Sequence, residues 1–199
     1  MAASEQDPER RQRWRDELTT IAPERLVFVD ESGTTIAMTP RAGWAPRNQR
    51  VHGQAPRNHG QNSTLLAALT LDGISAALVV EGAANGDVFE TYISQVVAPT
   101  LRPGQLVIWD NLNVHKRPEA RAAVEARDCQ VVFLPPYSPD FNPIEQAFSK
   151  LKTALRRANQ RTRDGLWDAI GEALGTITSS DASGWFTHCG YLTKNDQSL

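Results

Sequence analysis

Two short apolar runs, residues 26–29 (LVFV) and 106–109 (LVIW), each close on an aspartate, Asp30 and Asp110. Runs this short and apolar read as strands buried inside a sheet. A carboxylate at the end of such a strand lies at the sheet's rim, poorly solvated but open. The remaining pattern limits the architecture further. Residues 63–71 and 74–80 are apolar runs joined by Asp72-Gly73, a strong hairpin signal. Residues 86–97 place Val88, Tyr92, Ile93 and Val96 at helix spacing, residues 118–127 are Ala- and Arg-rich, and 130–134 read as a fifth strand. Asp30-Glu31-Ser32-Gly33 predicts a turn after the first strand, with 34–38 pairing back as a hairpin. Residues 41–61, rich in Gly, Pro, Asn and Arg, predict a loop. The rigid stretch Pro135-Pro136-Tyr137-Ser138-Pro139 precedes Asn142-Pro143, which opens a helix carrying Ile144, Phe148, Leu151, Leu155 and Ala158 on one face. Further helices are expected over 163–177 and 183–191, and a charged helical lead-in with little apolar face over 4–20. Three antiparallel strands followed by alternating helices and strands predict an α/β fold: a mixed five-stranded sheet flanked by helices.

A chain of 199 residues, 40% hydrophobic, makes one globular domain. At this length about 70% of the unfolded surface is buried, so no disulfide or structural metal is required. Cys129 and Cys189 are too few for a disulfide framework and lack zinc-site spacing. The polar start, MAASEQDPERRQRWRDEL, shows no secretory signal. The longest apolar stretch, 65–80, is broken by Asp72 and Gly73 and is too short to cross a bilayer. A cytoplasmic protein with no membrane partner is expected.

The net charge of −2 argues against a polyanion partner, but its distribution argues the other way. Residues 32–71 contain no acid and carry Arg41, Arg47, Arg50 and Arg57; residues 146–163 contain no acid and carry Lys150, Lys152, Arg156, Arg157, Arg161 and Arg163.

A third acid, Glu145, opens the helix after the fifth strand. If the strands bearing Asp30 and Asp110 are neighbours, three carboxylates converge, and their mutual repulsion raises their pKa values unless a cation relieves it. An all-oxygen donor set favours Mg²⁺, with Mn²⁺ as a substitute, over Zn²⁺. Two such ions flanking a phosphate suit phosphodiester chemistry. Each acid also has a plainer reading. Asp30 starts a turn before Gly33, Asp110 caps the following segment, and Asn142, Pro143 and Glu145 match N-cap, N1 and N3 of a capping box.

The three acids stand in VDESG, WDNLNVHK and LPPYSPDFNPIEQAFSKLK, with 34 residues between Asp110 and Glu145. Over roughly residues 25–192 the chain resembles the catalytic core of DDE transposases, in particular the bacterial insertion-sequence branch of the mariner superfamily. The resemblance implies an RNase H-like fold, with Asp30 and Asp110 on adjacent strands. It also implies catalytic Mg²⁺ held by Asp30, Asp110 and Glu145. Residues 1–24 then form a lead-in or linker and 193–199 a tail. Members carry N-terminal helix-turn-helix modules that read the transposon ends, and the roughly 25 residues before the first strand are too few for one. The implied partners are therefore transposon-end and target DNA, a helix-turn-helix module supplied as a subunit or by frameshift fusion, and a second copy in an active homodimer.

Other residues follow from this frame. Glu145, Ser149, Lys152 and Arg156 share one helix face, so a basic stripe leads away from the carboxylate, read either as a phosphate-contacting surface or as a solvated face. Lys150, Arg157, Lys116, Arg41, Arg47 and Arg50 are further candidate DNA contacts. His115 either touches the scissile phosphate or fixes its loop by a hydrogen bond. Asn111 and Asn113 order that loop, and the segment 41–59 with Trp44 either clamps DNA or is a plain exposed loop. Two rival functions stay open: a stand-alone RNase H-like nuclease, and an inert truncated product that only binds DNA or a partner.

Overall fold

A computed structural model of the chain describes residues 7–18, 20–111 and 115–191. Asn113 and the tail 193–199 lie outside them. The sheet has five strands: β1 (Leu26–Thr34), β2 (Ser63–Thr70), β3 (Gly73–Glu81), β4 (Leu106–Trp109) and β5 (Gln130–Phe133). Their spatial order is β3-β2-β1-β4-β5. β1, β2 and β3 pair antiparallel, whereas β4 runs parallel to both β1 and β5. The β2–β3 turn is the expected one. Gly73 holds φ +112°, which side-chain-bearing residues rarely adopt.

Alternate residues of the central strands feed two separate cores, which is why these strands are apolar throughout rather than alternating. Leu26, Phe28, Leu65, Leu69 and Ile108 face the helices α4 (Ile144–Ala158), α5 (Arg163–Gly175) and α6 (Ser179–His188). Val27, Val29, Leu66, Val107 and Trp109 face α2 (Gly86–Tyr92), the π-helical turn Ile93–Val97 that continues it, and α3 (Pro118–Glu125).

The front of the chain departs from expectation in two ways. First, β1 does not turn at Asp30–Gly33, and no hairpin forms over 34–38. The strand runs on to Thr34, paired with β2 from Phe28↔Leu69 to Thr34↔Ser63. The polar stretch is tolerated because its side chains find partners in the sheet: Thr34 Oγ1, buried, donates to the Ser63 carbonyl at 3.0 Å. The chain then leaves as a strandless excursion over 35–62 before returning as β2. Second, the charged lead-in, helical as expected (α1, Pro8–Leu18), nonetheless buries Trp14 and Leu18 in the α4-side core. Trp14 Nε1 donates to the Tyr191 hydroxyl at 3.0 Å, and that hydroxyl donates to the Phe141 carbonyl at 2.6 Å.

Candidate active site

Parallel pairing of β1 with β4 ends at Phe28↔Ile108. Two residues further on come Asp30, still within β1 and on the Phe28 side, toward α4, and Asp110, just past the end of β4. Glu145 stands in the first turn of α4. The three line one cavity of about 430 Å³, walled by Leu134, Pro135, Pro136 and Pro139. Its described lining includes no Lys or Arg.

Asp30 is the most constrained of the three. Its Oδ1 accepts from the Glu31 amide at 2.7 Å and its Oδ2 from Asn142 Nδ2 at 2.8 Å. Burial pushes its pKa up to about 7, and the negative charges of Glu145 and Asp110 add to the shift, against the lowering effect of the Glu31 amide and His115. Asn142 is therefore not the N-cap of a capping box. Pro143 occupies the cap position with no side-chain cap bond, and the Asn142 amide reaches across the chain to Asp30. Its Oδ1 is buried without a hydrogen-bond partner. Sequence reasoning missed this role because a local capping pattern and a long-range partner look alike in one dimension.

Asp110 is held differently. Its side chain is 33% exposed and bonded to His115 Nδ1. Beside an acceptor-only carboxylate, Nδ1 is the protonated nitrogen. The His115 ring is buried and stacks on Phe89 with centroids 4.2 Å apart. Its Nε2 has no hydrogen-bond partner and lies 4.0 Å from Glu31 Oε2. Burial raises the Glu31 carboxyl, opposed by His115 and reinforced by Asp110. Of the two readings of His115, the hydrogen bond has its partner in Asp110.

The residues fit a divalent cation in donor chemistry: three carboxylates, no Lys or Arg in the described lining, and an unfilled buried acceptor on Asn142. In the positions they hold, no three His, Cys, Asp or Glu side chains among the described residues close into a ready-made metal cluster.

The candidate DNA contacts divide. On α4, Ile144, Phe148, Leu151 and Leu155 are buried while Ser149 is exposed and Lys152 and Arg156 lie half-buried on the adjacent face, about 100° round the helix. Lys150 does not join them. Its ammonium is 2.6 Å from Asp181 and 2.9 Å from the Thr176 carbonyl, tying α4 to α6. This contact and the Thr178 cap hold Asp181 at a pKa of about 2. Arg157 and Lys116 are exposed, and Arg41, Arg47 and Arg50 lie fully on the surface of the 35–62 excursion beside Trp44, whose side chain is fully exposed. None of these cations lines the cavity.

Comparison with known proteins adds the following. The family model described as DDE superfamily endonuclease matches residues 25–166. No curated protein sequence matches the chain. The solved catalytic domain of Mos1 mariner transposase is similar with a TM-score of 0.69 at 14% identity, over 96% of this chain and 93% of that one. The Mos1 paired-end complex with the left transposon end gives 0.72 at 15% identity, over 95% of this chain and 62% of that chain. The Mos1 paired-end complex with Mg gives 0.74 at 15% identity over the same shares, 95% and 62%. The chain thus spans about three fifths of the longer transposase chains it matches. The shared fold is the RNase H-like sheet flanked by helices.

Proposed function

The chain belongs to the DDE superfamily endonucleases, and from that membership we propose that it is the metal-dependent catalytic domain of a DNA transposase. In this reading it hydrolyses a phosphodiester at the transposon end and joins the freed 3′-hydroxyl to target DNA. The observation that carries the reading is the meeting of Asp30, Asp110 and Glu145, from two strands and a helix, on one cavity with no cationic side chain in its described lining.

Asp30, Asp110 and Glu145 are the residues that would hold Mg²⁺ or Mn²⁺, two ions in this reading. When bound, the ions supply an activated water or 3′-hydroxyl and positive charge for the leaving oxygen. Asn142 and the Glu31 amide fix the rotamer of Asp30. His115, held on Phe89, fixes that of Asp110 and is a positioning residue. Pro135, Pro136 and Pro139 form one wall of the cavity. Lys152 and Arg156 contact backbone phosphates, giving affinity without sequence information, and Arg157, Lys116, Arg41, Arg47 and Arg50 extend that surface. Reading of the transposon ends falls to a helix-turn-helix module, fused or separate, and the working form is a homodimer. No helix among the described residues is long and apolar enough to cross a membrane.

The test is Mn²⁺-supported nicking of supercoiled plasmid by the full chain, followed by joining of 3′-hydroxyl oligonucleotide ends to the plasmid. Asp30→Asn, Asp110→Asn and Glu145→Gln should each lower nicking at least about a thousand-fold, roughly 4 kcal/mol, with DNA affinity retained. Full nicking by any one variant removes that residue from the set. Nicking without joining converts the reading to a plain nuclease, and no nicking with no Mn²⁺ bound leaves an inert domain.

A further inference from the structure

We propose that helix α1 is a positioning element of the catalytic cavity, acting through Arg11 on the turn that carries Asn142 and Glu145. The inference rests on the reading of that cavity as catalytic and adds a residue far from it in sequence. Arg11 donates to Asp140 through both terminal nitrogens, Nη1 to Oδ1 at 3.0 Å and Nη2 to Oδ2 at 2.6 Å. Nη1 also donates to Ser138 Oγ at 2.7 Å, and Ser138 Oγ donates to the Pro136 carbonyl at 3.1 Å. The guanidinium lies over the Phe141 ring, 4.2 Å from its centroid, and Arg15 lies over the same ring at 5.1 Å. One side chain therefore touches three residues of the turn, Ser138, Asp140 and Phe141.

An exposed ion pair contributes only about 0–1 kcal/mol. This one is different in kind. The Arg11 side chain is only 15% exposed, its contact is two-pronged, and its planar face is stacked, a combination that lysine cannot reproduce. The turn also needs holding. Tyr137 sits at φ +54°, a left-handed backbone that bulky residues rarely adopt and that persists only when the surroundings enforce it. The Arg11 contacts begin at the next residue. Immediately beyond the helical turn Pro139–Phe141 comes Asn142, whose amide holds Asp30, and then Glu145, whose own amide bonds back to the Asn142 carbonyl at 3.2 Å. A tilt of this turn shifts two of the cavity's functional groups together, and displacements of about 1 Å in such groups cost on the order of a hundred-fold in rate.

The experiment compares the full chain with Arg11→Lys, Asp140→Asn and the double variant, using plasmid nicking in Mn²⁺ at saturating DNA, duplex binding by fluorescence anisotropy, and amide hydrogen exchange. Asp140→Asn preserves shape and serves if Arg11→Lys fails to fold. Each single variant should slow nicking about ten-fold or more with DNA affinity within about two-fold, the range expected when an orienting contact is lost. Exchange should rise over 137–146 and stay constant in the β1–β2 ladder. The double variant should be no worse than the worse single one, since both break the same contact. Unchanged exchange over 137–146, a full nicking rate, or a loss confined to DNA affinity overturns the proposal. If the parent chain does not nick, the transposase reading fails separately. Calorimetric Mn²⁺ binding then replaces nicking: an unchanged affinity in Arg11→Lys and Asp140→Asn sinks the positioning role, and about ten-fold weaker binding upholds it.

Discussion

Asp30 and Asp110 arise from the same local pattern, an apolar run closed by an aspartate, yet they end in unlike surroundings. Asp30 lies inside a nine-residue strand that stays paired on its β2 side, and its half-buried carboxyl is held by a side-chain amide from the turn before α4. Asp110 lies just past a four-residue strand, part-exposed, and is steered by an imidazole lodged against Phe89. One carboxylate is set by the sheet and the other by an aromatic ring. The contrast shows that two acids lining one cavity can be oriented by different parts of the molecule.

The largest effect that sharpens this contrast concerns stability against pH. In the folded chain Asp30 keeps its proton up to about pH 7, whereas the unfolded carboxyl loses it near the ordinary aspartate value of about 4. The fold therefore loses stability as pH rises from about 4 through 7. Asp30→Asn, neutral throughout, should be more stable than the parent chain above pH 7 by at most about 4 kcal/mol in metal-free buffer, at about 1.4 kcal/mol per pKa unit. The advantage should vanish below pH 4. Asp110→Asn should show no such alkaline gain, because it weakens the hold on His115. Urea denaturation at pH 4 and pH 8 measures both, and an equal gain in the two variants would erase the distinction drawn here.

Next in size is the ring itself. His115→Ala should lower nicking about 10–100-fold while DNA affinity holds, the usual range for an orienting partner behind a metal ligand. Asn142→Ala, acting on the other aspartate, should do the same, and it should also shift the pH dependence of stability that Asp30 controls. A His115→Ala chain with full activity would free Asp110 from its ring.

The smallest effect separates neighbouring lysines on α4. Lys152→Ala with Arg156→Ala should flatten the salt dependence of DNA binding by about two units of logarithmic slope, roughly 0.9 per phosphate contact on duplex DNA. Lys150→Ala should leave that slope unchanged and loosen α6, because its ammonium is engaged by Asp181. A slope change in Lys150→Ala alone would reverse the assignment.

Much of the fold was legible because its strands are apolar on both faces and its helices keep a clean period. The β2–β3 hairpin followed from Asp72-Gly73, and α4 from Ile144, Phe148, Leu151 and Leu155 on one face. What escaped was decided by partners distant in the chain. The stretch Asp30 to Gly33 has turn composition, but β2 supplies a full ladder and the strand continues. Asn142 has the sequence of a cap, but its Nδ2 donates to Asp30 across the chain while its Oδ1, the atom a cap would use, accepts from nothing. Lys150 belongs to a basic run, but only the position of α6 reveals Asp181 beside it. Arg11 left no trace at all, since a charged helix with a weak apolar stripe gives no hint of the surface it docks on.

The hydroxyl of Tyr191 has a further consequence. It accepts from Trp14 near the beginning of the described chain and donates to a carbonyl in the turn before Asn142. Chain ends ordinarily fray independently of one another. Here a residue of α1 and one just past α6 share a single relay of hydrogen bonds, so loosening either helix tugs on the same peptide group, and Trp14 fluorescence should register the loss of the Tyr191 hydroxyl in Tyr191→Phe.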